Sequence, residues 1–194
     1  MLTQLTTVKW RLAIVPEDTT QDEFLTHAIQ AVSARFDRFC NRSFARATGA
    51  KHEFSARDLD VCVPCYPIET VTKWETKESE ASGWVEQTGV EFVIRRGGVV
   101  SLASRLAPVM SQMARITYTG GYVLPGTTAG AGQTALPADL EDAAIEQVAF
   151  WYRHRDNMGL IRHWPSGGTY LVFTQEPLLL TVKQVLKKHE RWVV

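Results

Sequence analysis

Charge of either sign is what this sequence has no surplus of: its 194 residues carry 21 Lys plus Arg against 21 Asp plus Glu, a formal net charge of zero. Proteins that hold nucleic acid by counterion release carry a basic excess. The balance therefore argues against a DNA-gripping protein and favours self-association over mutual repulsion. Cysteine is scarce as well. Cys40, Cys62 and Cys65 are odd in number and too few for a disulfide scaffold. No window approaches the ~20 apolar residues that cross a bilayer, and Met1-Leu2-Thr3-Gln4-Leu5 lacks the charged-then-apolar order of a signal peptide. The expectation is a soluble chain made in a reducing cytoplasm. A chain of this size buries about 70% of its unfolded surface, enough for a core without staples.

Catalytic strings are also missing. The histidines His27, His52, His154, His163 and His189 show no H-x-x-x-H or H-E-x-x-H spacing. Ser166-Gly167-Gly168 and Ser82-Gly83 lack the G-x-S-x-G nucleophile frame. The glycines of 126–132 have no following Lys-Ser/Thr and no βα context, so they read as a plain loop. The string nearest to chemistry is Cys62-Val63-Pro64-Cys65, a literal C-x-x-C. A thioredoxin-type site needs it at a helix N-terminus, where the dipole lowers a thiol pKa. Pro67 and the β-rich runs around it argue against such a helix. A structural zinc needs four ligands, and only Cys40 or a distant residue such as His52 is on hand to complete the set. No catalytic residue, metal ligand or cofactor is assigned; a small thiol or zinc protein using Cys62 and Cys65 stands as the minor alternative.

What is present is a pattern of helices around a β-rich stretch. Val8 to Leu12 read as a short helix capped by Thr6 or Thr7 and closed by Pro16. Thr20 and Glu23 form a T-x-x-E capping box. Phe24, Leu25, Ala28, Ile29, Val32, Phe36 and Phe39 follow at helical spacing, with Asn41 as a stop. From about residue 50 the apolar residues come in short runs between Gly, Pro, Ser and charged turns, which predicts antiparallel hairpins over 50–122. Residues 125–135 read as a mobile low-complexity loop. Pro137 opens a helix with Asp139, Glu141 and Asp142 at its positive end and Leu140, Ala144, Val148 and Trp151 on its buried stripe. A possible strand at 170–173 and a last helix from Pro177 to about Glu190 complete the pattern. The expected fold is α+β but mainly α: one domain, with a bundle of about four helices from 1–49 and 136–194, and an antiparallel β lobe inserted at 50–122. Taken on residues alone, this is a neutral α+β domain that binds other proteins.

Several strings in order add a resemblance. Val8-Lys9-x-x-Leu12 is followed by a helix ending Phe39-Cys-Asn-Arg42-Ser-Phe44, then by Val63-Pro64-Cys-Tyr-Pro67-Ile68-Glu-Thr-Val71. Arg115-Ile-Thr-Tyr118-Thr-Gly-Gly121-Tyr122 comes next, then Leu136-Pro137-Ala-Asp139-Leu140 running to Trp151-Tyr152-Arg153. Over about residues 3–157 this order resembles the gp6-like head–tail connector (adaptor) proteins of tailed bacteriophages and prophages, in the variant with a β insertion. The resemblance implies a non-enzymatic structural subunit that closes into a ring with copies of itself, twelvefold in the virion. It implies binding to the portal protein and to head-closure or tail proteins, and a channel through which DNA passes without specific binding. It also implies a place in the virion neck after assembly in the host cytoplasm. Another neck or tail-completion protein is the alternative within the same class. A ring contact is heterologous and needs two different complementary surfaces. Trp164, Tyr170, Trp192, Val193 and Val194 are candidates to anchor it, or else they pack on their own subunit.

Overall fold

A computed structural model describes residues 1–95, 97–106, 113–155, 162–163, 171–172 and 177–191. The chain divides into two units, one of Met1–Phe36 with Pro137–His189 and one of Asp37–Leu136 with Glu190–Val194. The helices among the described residues are α1 (Leu5–Arg11), α2 (Asp22–Phe39), α3 (Ala138–Arg153) and α4 (Leu180–Lys187); the division falls in the last turn of α2.

In the first unit, the stripe of α2 is buried through Leu25, Ala28, Ile29, Val32 and Phe36. Phe24 is half-buried against Tyr152, with ring centroids 6.2 Å apart. Fully burying aliphatic and aromatic side chains of this kind contributes about 1.5–3 kcal/mol each. α3 buries Leu140, Ala143, Ala144 and Val148, and α4 buries Val182 and Leu186. Two local readings shift. Thr20 does not cap α2; its hydroxyl donates to Asp18 Oδ1 at 2.6 Å, and the helix starts at Asp22. Pro137 occupies the N-cap of α3, one position before the first helical residue. Gln147 on α3 is wholly buried and accepts the Leu179 N–H at 2.8 Å, fixing the start of α4.

The end of α1 is held unusually firmly. Ile14 N–H bonds Lys9 O at 2.9 Å and Ala13 N–H bonds Trp10 O at 3.1 Å. With Leu12 as C-cap, this is the Schellman pair of bonds. The residue that turns left-handed is Ala13, at φ 56°, where glycine is the favoured occupant. Lys9 is 3% exposed, and its Nζ donates to Pro16 O at 2.8 Å and pairs with Asp22 Oδ1 at 2.9 Å. One residue thus ties α1, the following turn and the first residue of α2 together. Relieving the turn by Ala13→Gly is expected to stabilise the protein by about 0.5–1 kcal/mol, read as a rise in Tm.

Beyond the last turn of α2, the regular elements described in the second unit are strands. Strands β1 (Ala47–Ser55), β7 (Met113–Gly120), β3 (Ile68–Lys77) and β4 (Val85–Gln87) form an antiparallel sheet in that order. Strands β2 (Asp60–Cys62), β6 (Val99–Leu102) and β5 (Phe92–Arg95) form a second antiparallel sheet. Both sheets contribute to one core of Phe54, Trp74, Ile116 and Tyr118 from the first and Val61 and Val100 from the second. β8 (Tyr122–Val123) pairs in parallel with β9 (Thr134–Ala135), so the 125–135 segment, expected as a loose loop, returns to the strand it left. In the first unit β10 (Arg162–His163) pairs with β11 (Leu171–Val172); β11 lies in the 170–173 stretch where a strand was expected, and β10 was not foreseen.

The mainly α expectation is therefore wrong. The described residues hold as much strand as helix, and the β part is a unit with its own core. The cause is legible afterwards. β1, β3 and β7 present one apolar and one polar face, so Lys, Glu and Thr at alternate positions broke the apolar runs into fragments that read as separate short hairpins.

Candidate interaction surfaces

The C-x-x-C string lands in a strand and the turn after it, and the next element is β3, not a helix. Cys65 is 3% exposed. Its thiol donates to Ala45 O at 3.1 Å and Gly120 O at 3.2 Å, while its N–H donates to Tyr118 Oη at 3.1 Å. Burial pushes the Cys65 thiol up from its ordinary value and pushes Cys40 up to about 12. A thiolate nucleophile or ligand needs the opposite shift. Cys62 is half-buried on β2. Among the described residues no group of three or more His, Cys, Asp or Glu is placed to hold a metal ion.

Three of the strings that carry the family resemblance meet at one place in the second unit. Ser43 bridges Cys65, and Ala45 bridges Tyr122. Arg42, 5% exposed, donates to Tyr66 O and lies with its guanidinium 3.3 Å from the centre of the Tyr66 ring. The Phe44 and Tyr122 rings lie 4.7 Å and 5.2 Å from it. Asp37 accepts the Phe44 N–H at 3.0 Å, and burial pushes that carboxyl up from its ordinary value. Beside the knot, Arg46 holds Glu69 with two bonds of 2.7 Å and 2.8 Å. The cluster is a buried arginine wrapped in aromatic faces.

The outer face of the four-stranded sheet is a charge ladder. Glu53, Arg115, Glu75 and Glu86 share one row across β1, β7, β3 and β4. Arg115 grips Glu75 at 2.8 Å, and Lys73 bridges Glu75 and Glu86 at 3.2 Å each. Trp84 lies under Arg115 and Lys77, at 4.2 Å and 4.8 Å. Burial raises the Glu75 carboxyl, but its bonds to Arg115 and Lys73 outweigh that and leave it below its ordinary 4.5. A depressed carboxyl adds stability above its unfolded pKa and loses it as pH falls through its folded pKa. Glu75→Gln is therefore expected to cost about 1–3 kcal/mol at pH 7 and to flatten the acid limb below pH 4.5, measured as Tm against pH.

The five anchor candidates read from the sequence, Trp164, Tyr170, Trp192, Val193 and Val194, lie outside the described residues. The residue before the last three is fixed: Arg191 donates from N to Cys40 O at 2.9 Å and from Nη1 to Cys62 O at 3.1 Å. The large apolar side chains that are exposed include Trp10 at 80%, Leu180 at 66%, Val93 at 62% and Val15 at 61%. The exposure of Trp10 is not readable from the sequence, because α1 spans only seven residues, too few for a stripe to tell its faces apart.

Comparison with known proteins bears on this arrangement. The family model described as head completion protein matches residues 3–191. No curated protein sequence matches the chain. Among solved structures, the chain is similar to one from the neck of an empty gene transfer agent particle computed with C6 symmetry. The TM-score is 0.57 at 16% identity, over 97% of this chain and 89% of that one. It is also similar to a chain from the neck of the native particle computed with C12 symmetry, at TM-score 0.51 and 16% identity over 88% and 83%. A chain of the native virion matches at 0.51 and 18% over 90% and 80%. At such identities the likeness is one of fold. The family match spans both units, from the start of α1 to the Arg191 root of the C-terminal segment, and by it the chain belongs to the head completion protein family.

Proposed function

We propose that the protein is a structural neck subunit of a phage-like particle, an adaptor that completes the DNA-filled head and joins it to the tail. The observation that carries this reading is the head completion match over residues 3–191, and the neck folds of gene transfer agents agree with it. Within that reading the subunit closes into a ring of copies, twelve in the virion, seated on the portal protein and presenting a surface to head-closure or tail proteins. The C6 and C12 symmetries belong to the similar necks; a closed ring is the assembly that suits a chain of zero net charge whose two units each expose apolar side chains. DNA passes through without specific binding, in keeping with the absent basic excess. Trp192, Val193 and Val194, which follow Arg191 in the sequence, contact a neighbouring subunit or the portal, with Trp164 and Tyr170 adding anchors. The subunit has no catalytic turnover, and it assembles in the host cytoplasm before residing in the neck.

The test is genetic and visual. Deleting the gene from a particle-producing cell is expected to leave DNA-filled heads and free tails in electron micrographs, with joining restored by the purified protein. Normal particles from the deletion would sink the reading.

A further inference from the structure

We draw no further inference here: the strongest candidate, the surface patch of Trp10 and Val15 at the end of α1 and in the turn after it, is 80% and 61% exposed, and nothing in the structure shows what covers it.

Discussion

Gly121→Ala is expected to destabilise the protein by about 3 kcal/mol or more, and Gly121→Val to abolish folding at 37 °C. Gly121 has φ 101°, a backbone conformation that side-chain-bearing residues rarely adopt. A Cβ built there would meet Ala45 O at 2.7 Å, the Arg46 Cα at 2.8 Å and the Cys65 Sγ at 2.8 Å. Two of these neighbours are backbone, and the third is held by its own hydrogen bonds, so none can swing aside. The preceding Gly120 is equally confined, with Cys65 O at 2.6 Å and Pro67 O at 2.8 Å from its Cβ position. Chemical denaturation of the variants checks this. Gly49→Ala is the control, because it shares a positive φ of 67° but has nothing within 4 Å of its Cβ position, and it is expected to cost only about 1 kcal/mol. Equal losses at the two positions would show that backbone conformation alone, and not the close approach of three segments, explains the pair of glycines.

That contrast also shows what the sequence made legible. Three of the stretches that carried the resemblance, Phe39 to Phe44, Val63 to Val71 and Arg115 to Tyr122, are separate in the sequence. The structure brings them to one point, where Gly121 packs against Ala45 and Cys65 and Arg42 lies on Tyr66 and Tyr122. The C-x-x-C string belongs to this knot: Cys65 is small because Gly120 and Gly121 pass over it, and its thiol bonds backbone carbonyls. The helical stripes of α2 and α3 were readable because a 3.6-residue period over four or more turns leaves little ambiguity. The extent of the sheet was not. β3 runs ten residues from Ile68 to Lys77, yet its outward Lys73 and Glu75 and its bulge between Val71 and Lys73 hide the alternation. The exposed Trp10 was equally hidden, since exposure depends on which neighbours arrive, and α1 alone does not say.

Lys9→Met is the variant expected to do the most damage to the first unit, costing about 2–3 kcal/mol. Lysine is almost never this buried unless paired, and here the ammonium neutralises Asp22 and satisfies the Pro16 carbonyl. Methionine fills a similar volume, so the loss isolates the polar terms. Breaking a buried pair costs about 3–5 kcal/mol when the surviving charge stays desolvated. Asp22 is 29% exposed, which lets water recover part of that and sets the lower figure. Its place at the first residue of α2, where the helix dipole favours a negative charge, keeps it tolerable without the lysine. The double variant Lys9→Met, Asp22→Asn is therefore expected to regain about 1 kcal/mol of the loss, since it removes the stranded charge. The Pro16 carbonyl stays unpaired in both, so recovery is incomplete. A non-additive gain of this sign in urea midpoints would show that the lysine holds the turn by its charge and not by filling space. A Lys9→Met protein as stable as wild type would mean that the Schellman bonds at Ala13 and Ile14 suffice to fix the turn that carries Trp10 and Val15.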